Sequence, residues 1–247
     1  MKNIVFISDL HLDESHPEIV SLFLDFLKKQ TKTASALYIL GDFFEAWIGD
    51  DNLTSFNQMI ISQLRAATDA GLPIYFMHGN RDFLIGKRFL KASGCIFLPD
   101  ETVIDIAGTP TLLMHGDLLC TDDTAYLRFR KKAHNRFFQW LFLIKSLKKR
   151  RAIAAQYREK STQHISTIPD HIMDVTQRAV CGVMTKHHVQ HLIHGHTHRK
   201  AVHTFSLNNQ PATRTVLAAW HDKGNALVCD EGGKKELIDV MATTTNS

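Results

Sequence analysis

The chain has 247 residues, 44% of them hydrophobic and 22% charged, with a net charge of +4. This suits one large globular domain, or a domain carrying an insertion, with a substantial core. No stretch approaches the roughly 18 continuous apolar residues of a membrane span. Ile4 to Ile7 is too short, and too soon followed by Asp9, to be a signal sequence, so a cytoplasmic protein is expected. Cys95, Cys120, Cys181 and Cys229 are far apart and lack C-x-x-C spacing. That argues against a disulfide framework or a thiolate zinc site and for small buried apolar residues.

Ile4-Val5-Phe6-Ile7 is a β-rich run that stops at Ser8-Asp9-Leu10-His11. In an extended segment Asp9 and His11 leave on one side. Pro17 to Lys29 carries Ile19, Leu22, Phe23, Phe26 and Leu27 at helical spacing. A second strand, Ala36 to Leu40, ends in Gly41-Asp42, and residues 55 to 70 read as another helix. Ile74 to Met77 ends in His78-Gly79-Asn80-Arg81-Asp82, and Thr111 to Met114 ends in His115-Gly116-Asp117. Leu192-Ile193-His194-Gly195-His196-Thr197-His198 closes the series with two imidazoles placed like Asp9 and His11.

Strands alternating with helices predict an α/β chain with a parallel or mixed sheet covered on both faces. Ligands in such sheets collect beyond the carboxyl ends of the strands, where these polar residues fall. Thr215 to Ala219, Ala226 to Cys229 and Glu236 to Val240 are expected to finish a second sheet, and 242–247 to form a loose tail.

Residues 121–168 interrupt the rhythm. Between Tyr126 and Lys160 there are twelve Lys/Arg and one acid, leaving 17 bases against 24 acids elsewhere. Phe137-Phe138-Gln139-Trp140-Leu141-Phe142-Leu143-Ile144 sits inside this basic stretch. One or two helices are expected, forming an insertion or cap between core segments 1–120 and 169–241.

The ligand candidates are Asp9, His11, Asp42, Asn80, His115, His196 and His198. They are too many for one tetrahedral zinc, and O/N donors without thiolate suit two octahedral ions such as Mn²⁺ or Fe²⁺. Asp42, a lone ligand on its strand, is the expected bridge. Such a pair activates water and neutralises oxygens on a phosphorus under in-line attack, which predicts a phosphoester or phosphoanhydride hydrolase. Asn80 would bind through its amide oxygen and donate its NH₂ to substrate.

Asp9-x-His11, Gly41-Asp42, Gly79-Asn80, His115-Gly116 and Gly195-His196-Thr197-His198 together resemble the calcineurin-like metallophosphoesterases. The longer strings Gly41 to Asp51, Gly79 to Gly86, His115 to Asp123 and Ile193 to Arg199 are similar to the branch that cleaves UDP-2,3-diacylglucosamine in lipid A biosynthesis. The resemblance implies an αββα sandwich with a helical cap and two Mn²⁺ ions. Asp9, His11, Asp42 and His198 would hold one ion, and Asp42, Asn80, His115 and His196 the other. It implies release of UMP and 2,3-diacylglucosamine 1-phosphate at the cytoplasmic face of the inner membrane, with peripheral membrane contact and no nucleic-acid partner. Asp123 and Ser161 match substrate-contact positions, whereas Ile165 and Ile168 stand where Asn and Lys would align. A monomer is expected, although the sequence leaves oligomeric state open.

Many members of the broad family carry a histidine after the asparagine as proton donor, where this chain has Arg81. Arginine cannot give up its proton. A leaving phosphate, with its second pKa near 6, needs none, and a guanidinium can pair with its oxygens. Arg81 therefore favours pyrophosphate cleavage, with Asp42, Asn80, Arg81 and His196 as the expected catalytic set.

His187 and His191, together with His16, His134, His164, His171, His188, His203 and His221, are read as ordinary helix-surface residues. His78 and His194 are expected to support ligands from behind. Glu45, Asp82 and Asp117 are expected either to orient imidazoles or to serve as turn and cap residues. A nuclease tracking a backbone along the basic segment, and a metal-free interaction module, are the alternative functions; the apolar run and the complete ligand set argue against them.

Overall fold

A computed structural model describes residues 3–167 and 174–241, with side chains described to residue 160 and again from 174. The expected tail at 242–247 and Ile168 lie outside the described residues.

Strand β1 (Asn3–Ile7) leads into α1 (Pro17–Thr33), which opens on Pro17 with Glu18 in its first turn and buries Ile19, Leu22, Phe23, Phe26 and Leu27. Proline at the first helical position and an early acid both favour a helix start. After β2 (Ala34–Leu40) comes α2 (Ser55–Asp69), capped by the Thr54 side chain, which accepts from the Asn57 N–H. β3 (Ile74–Met77), α3 (Lys87–Ser93) and β4 (Ile96–Leu98) follow.

The second half contributes β5 (Thr102–Ile106), β6 (Thr109–Leu113), α4 (Thr124–Ala133), α5 (Arg136–Leu143) and α6 (Leu147–Thr167). It ends with α7 (Gln177–Lys186), β7 (His191–His194), β8 (Ala201–Leu207), β9 (Gln210–Val216), β10 (Gly224–Cys229) and β11 (Lys235–Val240).

One sheet runs β11-β10-β1-β2-β3-β4 and the other β5-β6-β7-β9-β8. The central pairs β1-β2, β2-β3, β6-β7 and β7-β9 are parallel, and the flanking pairs β10-β11, β5-β6 and β8-β9 are antiparallel. β10 and β11 therefore complete the first sheet, not the second. β9 also begins earlier than the expected Thr215, because it pairs along its whole length with β8.

Period-two alternation explains the layering. Val5, Ile7, Leu37, Ile39, Ile74 and Phe76 face α1 and α2 in the largest cluster. Phe6, Tyr38, Leu40 and Met77 point the other way, against Leu113 and Ile193 of the second sheet. Tyr38 stacks between Phe6 and Tyr75, with ring centroids 5.0 and 4.6 Å away. Leu112 and Leu192 bury the far face of the second sheet under Val180 and Met184 of α7. The result is a helix-sheet-sheet-helix sandwich.

Residues 124–167 form three helices instead of one or two. Asn135 ends the first by capping the second, its side chain accepting from the Phe137 N–H at 2.9 Å. α5 buries no residue: Phe137, Trp140 and Ile144 are 61%, 56% and 60% exposed. Arginines fasten this segment to the core. Arg130 donates to Asp117 and to Asp100, Arg150 to Asp51 and to the Ile48 carbonyl, and Arg158 to the Glu45 carbonyl. No described helix is long and apolar enough to cross a membrane.

His187 caps the end of α7 and His191 starts β7, so the two are not a helical pair. His134 stacks on Phe83 at 4.9 Å, and burial together with nearby Arg130 pulls its pKa down to about 4. In the unfolded chain the imidazole takes up its proton near 6.5, whereas the folded chain resists protonation until about pH 4. The His134 contribution is thus present above pH 6.5 and fades as pH falls through that window. Urea midpoints measured between pH 4.5 and 6.5 should show a shallower pH slope in His134→Gln than in the unsubstituted chain.

Candidate metal centre

The backbone, more than strand alternation, aims the ligands. β1 stops at Ile7 and β7 at His194, before any of the expected pairs begins. Asp9, His11, Asp42, His196 and His198 all have left-handed backbone, with φ of 56°, 51°, 50°, 68° and 59°. Nine described non-glycine residues have positive φ, and these are five of them. Each such conformation costs about 1–2 kcal/mol and persists only where the surroundings impose it. Here lacing between loops imposes it: Asp9 N–H donates to the Gly41 carbonyl, His11 N–H to the Asp42 carbonyl and Trp220 N–H to the Asp9 carbonyl, each at 3.0 Å. Gly79 and Gly195 serve by close approach, because a Cβ would collide with Asp42 at the first and with Ser8 and Asp9 at the second.

All seven expected ligands come together, in two groups. Asp9 Oδ1 lies 3.2 Å from His198 Nε2, which is 3.5 Å from His11 Nε2. Asn80 Oδ1 lies 3.0 Å from both His115 Nε2 and His196 Nδ1. Asp42 stands between them, with Oδ2 4.0 Å from His11 Nε2 and Oδ1 3.8 Å from His115 Nε2. Asp9, Asp42 and His115 also offer atoms within 4.8 Å of one another, so Asp9 reaches toward both groups.

The donor set fits divalent cations. Asp9 Oδ1 is buried and accepts no hydrogen bond, although a histidine nitrogen is near it, which is how atoms converging on an ion are placed. His115 Nδ1 donates to the Leu40 carbonyl at 2.9 Å and so turns Nε2 toward the centre, as supporting contacts do for metal-binding imidazoles. Burial opposes charge on His115, but Asp42, Asp9 and Asp117 overcome it and hold its pKa at about 9. Burial would raise Asp9; the nearness of His198 Nε2, 3.2 Å from Oδ1, and the charge of His115 outweigh it and keep the carboxyl well below the usual range. Burial pushes Asp42 up. The carboxylates favour positive charge on His115, while burial and the charge of His115 pull the pKa of the neighbouring His196 down to about 4.

Glu45 is the strongest supporting residue. Its Oε2 is 3.0 Å from His11 Nδ1, and its Oε1 accepts from Arg81 at 2.7 Å and pairs with Arg158 of α6 at 3.1 Å. Asp82 touches no imidazole: it accepts from the Phe43 and Gly79 N–H groups at 2.8 and 2.7 Å, tying two ligand loops together. Asp117 accepts from Tyr126 Oη and from Arg130, anchoring the helical segment. His78 contacts the Ile85 carbonyl, and His194 bonds to Arg214 and its own loop, so neither supports a ligand imidazole. Arg158 carried no sequence signal beyond its place in a basic run.

Arg81 donates its backbone N–H to Asp42 Oδ1 at 2.8 Å, which places its side chain beside the centre. Asp123 caps α4 by accepting from the Tyr126 N–H. Ser161 and Ile165 fall on the α6 backbone, and their side chains lie outside the described residues.

The shared position of Asp42 implies unequal losses on substitution. Asp42→Ala should strip metal from both groups, whereas His198→Ala should leave the Asn80/His115/His196 group able to retain an ion. Metal content after dialysis checks this: equal residual metal in the two variants would refute the shared carboxylate.

The sequence profile of the calcineurin-like phosphoesterases matches residues 2–200. A Klebsiella pneumoniae protein named UDP-2,3-diacylglucosamine hydrolase is 52% identical over 221 residues, covering 90% of this chain and 92% of that protein. An Escherichia coli protein of the same name is 51% identical over the same shares. With the profile spanning both ligand groups and full-length relatives at this identity, the chain belongs to the calcineurin-like phosphoesterase family.

Proposed function

We propose that this chain is a di-metal pyrophosphatase that hydrolyses UDP-2,3-diacylglucosamine to UMP and 2,3-diacylglucosamine 1-phosphate, a step of lipid A biosynthesis. The observation that carries this reading is the buried Asp42, standing between two ligand groups with Arg81 beside it. The names of the relatives support the substrate.

In this reading Asp9, His11, Asp42 and His198 hold one ion and Asp42, Asn80, His115 and His196 the other, with Mn²⁺ as the proposed metal and Fe²⁺ as the alternative. Such ions, when bound, lower the pKa of the attacking water and screen the oxygens of the uridine-side phosphorus. Asn80 would hold the second ion through Oδ1, which lies 3.0 Å from both His115 Nε2 and His196 Nδ1, and its NH₂ would remain available to donate to a phosphate oxygen. Arg81, fixed by Glu45, pairs with the phosphate that leaves and needs to transfer no proton. Glu45 also steadies His11, so the arginine and a ligand share one support. His196 steadies the phosphate oxygens from the other side.

Residues 121–168 act as a cap for the lipid, with Asp123 and Ser161 as substrate contacts. The uncovered aromatic face of α5, rimmed by lysines and arginines, suits an anionic membrane surface, where each cation contributes about 1 kcal/mol. We place the enzyme peripherally on the cytoplasmic face of the inner membrane. The same apolar face disfavours a nuclease.

With UDP-diacylglucosamine and Mn²⁺, UMP should appear; release of UDP would overturn the assigned bond. On vesicles containing anionic phospholipid, a Phe137→Ser/Trp140→Ser double variant should sediment far less than the unsubstituted protein, and equal sedimentation would remove α5 as the docking face.

A further inference from the structure

Arg214 of β9 pairs across the sheet with Leu192 of β7 and His203 of β8, on the face covered by α7. It is a buried residue, 8% exposed. Its Nη1 donates to His194 Nε2 at 3.1 Å, while His194 Nδ1 lies 2.8 Å from the Gly195 carbonyl. A carbonyl only accepts and a guanidinium only donates, so His194 carries one proton, on Nδ1, and is neutral. The contact satisfies an N–H without balancing the charge. Nε of Arg214 is buried and has no hydrogen-bond partner. Asp174, whose charge reaches Arg214, is paired with Arg199 at 2.9 Å.

Arg214 opens onto a cavity of about 180 Å³ lined by Asp174, Thr197, Arg199, Lys200 and His203 as well. That space holds several waters at ~30 Å³ each, or one tetrahedral oxyanion. Lys200 pairs with Asp239, which Lys223 shares, so among the described residues cations outnumber acids around the cavity. A buried guanidinium cannot shed its proton, and among the described residues the carboxylate whose charge reaches Arg214, Asp174, is shared with Arg199, so the buried charge is only partly balanced.

We infer that this cavity is an oxyanion site for a phosphate-type group, with Arg214 as its fixed floor and Arg199, Lys200 and His203 around its mouth. Thr197 stands between His196 and His198, so the loop presenting two ligand candidates forms one wall of the site. The inference does not depend on the reaction proposed for the metal centre.

Orthophosphate binding to the Mn²⁺-loaded chain, measured by equilibrium dialysis, tests it. The unsubstituted chain should bind one more phosphate than Arg214→Gln, and His203→Gln should weaken that site without abolishing it. Arg214→Lys, which keeps the charge and loses the fork, should bind about tenfold or more weakly. Equal stoichiometry and affinity in the unsubstituted and Arg214→Gln chains would overturn the site. Should Arg214→Gln fail to fold, selenate soaked into crystals of the unsubstituted chain decides: an anomalous peak in the cavity beside Arg214 supports the site, and peaks confined to the Asp42 centre refute it. UMP as competitor identifies the source of the group. Displacement of phosphate from the Arg214 site marks a nucleotide phosphate, and retention marks free orthophosphate.

Discussion

Asp42 is the fixed point of the molecule. It is buried at the tip of β2, turned through a left-handed backbone, with one oxygen toward His11 and the other toward His115. Those histidines belong to different sheets, so the carboxylate works only if two sheets end together. The sandwich achieves this: Phe6, Tyr38 and Leu40 pack on Leu113 and Ile193, which brings the tips of β1, β2 and β3 beside those of β6 and β7. A change in the register of this seam would separate the two halves of the centre before it touched any ligand.

The strained turns follow from the same demand. An extended strand end would send Asp9 and His11 outward along the sheet, whereas a left-handed step folds each back over the tip. Ordinary residues resist that conformation. The hydrogen bonds of the Asp9, His11 and Trp220 N–H groups to neighbouring loops, together with Asp82 bridging Phe43 and Gly79, offset the cost. The centre is therefore rigid because the loops hold one another, and it does not rely on the metal alone for its shape.

Much of this was legible in the sequence. Apolar runs ending in Gly-Asp, Gly-Asn, His-Gly and Gly-His-x-His marked β1, β2, β3, β6 and β7 and all seven converging side chains. The reason for convergence was not legible, because backbone handedness leaves no residue pattern when Asp and His occupy positions that usually favour glycine. Which sheet β10 and β11 join was also hidden: their partners, β1 and each other, are decided by distant chain and not by local periodicity. β5 and β8 are largely exposed and mix polar with apolar residues, so they gave no strand signal. Asn135, a helix-capping residue inside a basic run, split the helical segment where composition alone suggested continuity. Arg214 was invisible for the opposite reason: an arginine between two threonines in a strand reads as surface, and only the fold shows it buried.

The helical segment meets the core through Arg130, Arg150 and Arg158, each placed against carboxylates or carbonyls, while Phe137, Phe138 and Trp140 of α5 remain uncovered. Attraction between charges is screened by dissolved salt over a Debye length of roughly 8 Å at physiological ionic strength, and apolar burial is not. The partly exposed pairs, such as Arg130 with Asp100 and Arg158 with Glu45, therefore respond to ionic strength, and the aromatic face does not. Since Arg158 shares Glu45 with Arg81 and His11, the ionic composition of the surroundings reaches the ligand cluster at the strand tips through a single carboxylate.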